Sequence, residues 1–74
     1  MPNNQPAAKF RVGLVTATVW KNDSEGGNPF YSTVLSRSYK DGDEWKQTDN
    51  LNQSDLLNAA KVLERAEQFI SEQA

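Results

Sequence analysis

From Asn52 onward the sequence repeats with a helical period, and the part before it does not; that division constrains the fold more than any other feature. Leu56, Ala59, Ala60, Leu63, Ala66 and Ile70 recur at i, i+3, i+4 and i+7 and define an apolar stripe. Asn58, Lys61, Arg65, Gln68 and Glu72 line the opposite side. Asn52 suits the N-cap, and Asp55 stands three residues on, where its carboxylate can reach back to the cap and meet the positive end of the helix dipole. Leu51 and Leu56 occupy the hydrophobic-staple positions. Leu57, Val62 and Phe69 widen the apolar face beyond one narrow stripe. A small sheet needs only one covered face, so the surplus predicts a homodimer joined through the helix at Leu57, Val62, Leu63, Ala66, Phe69 and Ile70.

The preceding residues read as extended chain. Lys9–Lys21 is rich in Val, Thr, Phe and Trp, with Gly13 marking a bend or bulge between strand pieces over 9–13 and 14–21. The stretch 22–29 is a loop by its Gly, Asn and Pro content. Phe30–Lys40 is a strand with two distinct faces: Tyr31, Thr33, Leu35, Arg37 and Tyr39 point one way, and Phe30, Ser32, Val34, Ser36 and Ser38 the other. Asp41-Gly42 signals a hairpin into a strand over 44–50. The expected architecture is α+β: a curved antiparallel four-stranded meander followed by one C-terminal amphipathic helix. Residues 1–8, polar with two prolines, read as a disordered tail, leaving 9–74 as one domain.

Composition removes several functions. The 74 residues contain no Cys and no His, which excludes disulfides, a thiol nucleophile, the usual zinc ligands and the commonest general base. No metal and no cofactor is expected. A single small core seldom supplies more than ~3–5 kcal/mol, so self-association is the expected added source of stability. No apolar run approaches the ~20 residues that cross a bilayer, and the first residues lack the basic and apolar regions of a signal peptide. A cytoplasmic location is the expectation.

The acidic and glycine-rich segments do not form known ligand loops. An EF-hand started at Asp41 would need Gly and Glu where the chain has Lys46 and Asn52, and one started at Asp23 would put Val34 at the bidentate position. Gly26-Gly-Asn-Pro-Phe30 lacks the Gly-Lys-Ser/Thr ending of a phosphate loop. No Ser has a plausible base beside it, and no carboxylate pair stands out. The chain reads as a binding protein rather than an enzyme.

One constellation remains, aromatic and basic residues interleaved on the strands: Arg11, Trp20-Lys21, Tyr31, Arg37, Tyr39-Lys40 and Trp45-Lys46. Single-stranded nucleic acid needs flat rings for its bases, worth ~1–3 kcal/mol each, and cations for its phosphates. Trp45 and Tyr39 are the expected stacking rings; Arg37, Lys46, Lys21 and Arg11 are the expected phosphate contacts. The plainer alternative is that the aromatics are good strand formers packing under the helix. The net charge of −2 argues against the first reading, and its distribution softens that objection: residues 50–74 hold Lys61 and Arg65 against Asp55, Glu64, Glu67 and Glu72, and the deficit lies there.

The order of these elements resembles the positive-cofactor-four family of transcriptional coactivators and its small bacterial single-stranded-DNA-binding relatives. The resemblance is carried by Phe10-Arg-Val-Gly13, a Val/Thr strand ending Trp20-Lys-Asn22, a strand closing Ser36-Arg-Ser-Tyr39, an acidic turn with Gly, Trp45-Lys46, and Leu51-Asn52 opening the helix. It spans about residues 9–70. It implies a curved sheet with helices at a two-fold dimer interface, and single-stranded DNA crossing the sheets. The family's strand-borne Arg and Tyr fall on Arg37 and Tyr39, and its basic residue after the turn on Lys46. The second strand departs from the family's basic character, reading Leu14-Val-Thr-Ala-Thr18. The alternative function is a dimeric protein-interaction module of the same fold without a nucleic-acid ligand.

Overall fold

The computed structural model describes residues 5–23, 26–27 and 29–73. Four strands, β1 (Ala8–Val12), β2 (Val15–Asp23), β3 (Pro29–Asp41) and β4 (Glu44–Thr48), form one antiparallel sheet in sequence order. A short 3₁₀ turn, Gln53–Asp55, leads into helix α1 (Leu56–Gln73). The meander and the C-terminal helix are those expected. The strand over residues 44–50 ends earlier, at Thr48.

Gly13 does more than bend a strand. Val12 pairs with Val15, so Gly13 and Leu14 form a complete two-residue hairpin loop, and Gly13 takes φ +62° as the first loop residue of such turns commonly does. Gly42 plays the same part between Asp41 and Glu44, at φ +64°. A Cβ on Gly13 would also lie 2.8 Å from the Asn58 Nδ2 at the start of α1, so the turn and the helix approach closely there. At the N-terminal end, Ala8 already belongs to β1 and the Ala7 N–H donates to the Val19 carbonyl at 2.8 Å. Residues 1–4 of the expected tail, and Ser24, Glu25 and Asn28 of the expected loop, lie outside the described residues.

One side of the sheet is covered. Val15, Ala17 and Val19 of β2 meet Ala59, Val62 and Ala66 of α1 to form the core, with Phe10, Leu35, Leu51 and Ile70 packed around it. Phe69 sets its ring edge-to-face against Phe10 (centroids 6.2 Å apart) and Tyr31 (6.3 Å). Alanines at 59 and 66 let the helix approach the strands closely, while Val62 is fully buried and contributes roughly 1.5–3 kcal/mol.

The covering stripe overlaps the one expected and is rotated from it. Ala59, Ala66 and Ile70 of the expected stripe meet the sheet, but Leu56, Ala60 and Leu63 are exposed, and Asp55, Val62 and Phe69 complete the covered face in their place. Asp55 fixes that rotation, because its carboxylate is drawn under the sheet by Arg37 of β3 (Nε–Oδ2 3.2 Å). The staple is lost in consequence: Leu51 packs inward while Leu56 is exposed. The expected dimer set divides in the same way. Val62 and Ala66 are buried against the chain's own sheet, Phe69 and Ile70 pack beside them, and Leu57 (85% exposed) and Leu63 (42%) face outward.

Candidate nucleic-acid interface

The two hairpin loops set the registers of β1 with β2 and of β3 with β4, the pairing of Val15 with Arg37 through Asp23 with Pro29 joins the two halves, and together they sort every strand residue onto one of two faces. Residues directly opposite one another share a face. Lys9 opposes Thr18, and Thr18 opposes Val34; Arg11 opposes Thr16, and Thr16 opposes Ser36. Trp20 opposes Ser32, Ser38 opposes Gln47, and Lys40 opposes Trp45. These residues share the face away from the helix.

That open face has a consistent chemistry. Its charged residues on the strands are Lys9, Arg11 and Lys40, all basic. The acidic residues of the strands, Asp23, Asp41 and Glu44, all fall on the helix side. A chain with a net negative charge thus presents a sheet face carrying only cations. Beside Lys9 and Arg11 lies a shallow hollow of about 430 Å3, lined by Thr16, Thr18, Ser36 and Ser38 along its floor, with Trp20 on its wall. Trp45 stands at the far end of β3 from Trp20, 62% exposed. Ser32, opposite Trp20, and Lys40, opposite Trp45, are separated by about 26 Å of strand at ~3.3 Å per residue. The Arg11 Nε donates to the Gly13 carbonyl (2.9 Å), which holds the guanidinium stem against the first turn while the residue stays exposed.

The residues expected to bind nucleic acid are divided between the two faces. Arg11, Trp20 and Trp45 lie together on the open face; Lys21, Tyr31, Arg37, Tyr39 and Lys46 lie on the helix side. Tyr31 packs on Phe69. Lys46 pairs with Asp41 across the second hairpin (Nζ–Oδ2 3.0 Å), an exposed contact worth little on its own. For Tyr31, the alternative of an aromatic packing under the helix describes its position.

Arg37 has an evident structural use. Its Nε lies 3.0 Å from the Asn50 carbonyl and 3.2 Å from the Asp55 carboxylate, and its guanidinium carbon sits 5.9 Å from the centre of the Tyr39 ring. Asp55 in turn accepts the Asn52 N–H at 2.9 Å, the backbone half of the expected cap. Arg37 and Asp55 are both largely buried, with side-chain exposures of 15% and 11%. Together they tie β3 to the β4–α1 connection and the helix start. Arg37 is thus an anchor facing away from the hollow.

Lys9 and the hydroxyl floor lie outside the constellation read from the sequence, and Lys40, which belongs to it, is not among its expected phosphate contacts. Their signal is the pairing parity across β1, β2 and β3, which becomes readable once Gly13-Leu14 is treated as a two-residue turn rather than a bulge and β2 is set in register with β3. Among the described residues no group of three or more Asp or Glu side chains is placed to hold a metal ion, and no helix is long and apolar enough to cross a membrane. No family model, curated protein or solved structure matches the chain.

Proposed function

We propose that this chain is a non-enzymatic, homodimeric protein that binds single-stranded DNA or RNA with little sequence preference, using the open face of its sheet. The observation that carries the reading is the segregation of charge: Lys9, Arg11 and Lys40 share a strand face free of strand acids, with Trp20 and Trp45 at its two ends. The cations attract phosphates, the indoles offer stacking surfaces, and the Ser and Thr hydroxyls donate to or accept from sugars, phosphates and base edges. Nothing in this set selects one base over another, so tolerance of sequence follows. The likeness in element order to the positive-cofactor-four family supports the same ligand. The contacts it implies move from Arg37, Tyr39 and Lys46 to the residues of the open face.

The test is a titration of labelled single-stranded oligonucleotide with protein at low and near-physiological salt. Phosphate contacts release counterions, so affinity falls steeply as salt rises, with a slope of roughly −0.7 per phosphate neutralised. Duplex of the same sequence binds less tightly, because its bases cannot lie on the indoles. Absence of binding even at low salt would refute the reading and leave the protein-interaction module in its place.

A further inference from the structure

β3 is longer than its partner on one side. Pro29–Arg37 pairs with β2, but only Arg37–Asp41 pairs with β4. The direction of the backbone groups along β3 follows from two independent observations. The Ser38 N–H donates to the Leu14 carbonyl opposite it (2.9 Å), so even-numbered residues of β3 bond toward β2. The two-residue loop between Asp41 and Glu44 makes that pair a bonded one, so odd-numbered residues bond toward β4. Tyr31, Thr33 and Leu35 therefore direct their N–H and C=O groups to an edge where β4 is absent, and they have no backbone partner there among the described residues.

Open strand edges are normally guarded by charge. The outer edge of β1 carries Lys9 and Arg11, and that of β4 carries Glu44 and Lys46. Pro29–Ser36 of β3 carries no charge at all, and its Phe30 and Val34 side chains are each half exposed.

We infer that the free edge of β3 over Tyr31–Leu35 is the seam of the homodimer, pairing antiparallel with the same segment of a second copy about a two-fold axis through Thr33. This deepens the homodimer of the proposed function and leaves the nucleic-acid reading unaffected. Self-pairing about Thr33 places Tyr31 opposite the partner's Leu35 and Ser32 opposite the partner's Val34. The three edge-facing residues then exchange both backbone bonds with their counterparts. No charge meets its like at this seam. The same operation on β1 about Phe10 would oppose Lys9 to Arg11, and on β4 about Lys46 would oppose two lysines. A two-fold perpendicular to the sheet keeps both helices on one side. Both open faces then lie on the other, so the cationic hollow becomes continuous across two chains.

Sedimentation equilibrium on the full chain without nucleic acid tests the seam, with Thr33→Pro as the deciding variant. Proline at 33 removes an N–H aimed at the free edge and none bonded to β2, so it spares the fold and blocks the pairing. Wild type is expected at twice the 8.3 kDa chain mass, and T33P at one chain mass with an unchanged far-ultraviolet circular dichroism spectrum. Should T33P fail to fold, Thr33→Lys opposes two lysines on the axis and is expected to dissociate the dimer at low salt. In wild type, the Tyr31, Thr33 and Leu35 amides are expected to exchange as slowly as ladder amides. A monomeric wild type overturns both the seam and the homodimer. A folded T33P or T33K that remains dimeric, or fast exchange at those three amides, overturns the seam alone.

Discussion

Removing the Asp55 carboxylate is the sharpest test of what holds the helix over the sheet. Asp55→Ala deletes the acceptor for the Asn52 N–H and leaves the Arg37 guanidinium, only 15% exposed, beside a single carbonyl. Truncating one partner of a buried ion pair costs about 3–5 kcal/mol, and the residual exposure of this pair places the expected loss near the lower end, ~3 kcal/mol. A chain of this length has a total stability of roughly 4–11 kcal/mol, so the loss is a large part of the whole. It corresponds to a fall in Tm of ~12–24 °C. The assay is thermal and urea unfolding followed by circular dichroism, at one fixed protein concentration because dimerisation couples to stability. Arg37→Ala should lose a similar amount. The double variant should lose clearly less than the sum, since the second truncation removes a charge already stranded. Asp55→Ala within ~0.5 kcal/mol of wild type would refute the anchor. The same measurement guards a binding experiment: a loss of nucleic-acid affinity in Arg37→Ala follows from unfolding, and is expected to disappear where the variant is fully folded.

Further outcomes follow from neighbouring features. Gly13→Ala should lose ~1–2 kcal/mol in the same unfolding assay, because the turn needs φ +62° and the new Cβ meets Asn58. Val62→Ala should lose ~2 kcal/mol through an unfilled space between helix and sheet, whereas Leu57→Gln, at an 85% exposed position, should stay within ~0.5 kcal/mol and leave the sedimentation mass unchanged. Trp45→Ala should weaken single-strand binding by about 1–3 kcal/mol while leaving Tm nearly unaltered. Lys9→Gln combined with Arg11→Gln should flatten the salt dependence by ~0.7 for each phosphate contact removed, read from oligonucleotide titrations at several salt concentrations.

Much of the fold is legible in the sequence because local signals there agree with the tertiary structure. Asn52 and Asp55 announce the helix start, Asp41-Gly42 the second hairpin, and the alternation along Phe30–Lys40 the two faces of β3. The helix rotation is not legible from hydrophobicity alone. Ala59 and Ala66 can be flanked as well by Leu56, Ala60 and Leu63 as by Val62 and Phe69, and the choice is made by a charged residue, Asp55, held by Arg37 from another element. The same long-range pair conceals the site: Arg37 looks like a phosphate ligand in sequence because nothing local reveals its carboxylate, eighteen positions away in the chain. The cationic face emerges only from pairing. Lys9 and Arg11 on the edge strand β1 join Lys40 of the inner strand β3 on one surface, because the two-residue first hairpin and the register of β2 with β3 carry one face across all three strands.

Nucleic acid on the open face would lie against the tryptophans, which report on that face directly. The chain has two, Trp20 and Trp45, and both lie there. Intrinsic tryptophan fluorescence titrated with an unlabelled homopyrimidine single strand, alongside anisotropy of the same strand carrying a label, separates where binding occurs from whether it occurs. Binding on the open face is expected to give quenching that saturates with the anisotropy, halved in amplitude or more when Trp45 is replaced by Phe. Binding by anisotropy with tryptophan emission unchanged would contradict it, and would place the ligand on the helix side, with Lys21, Tyr39 and Lys46.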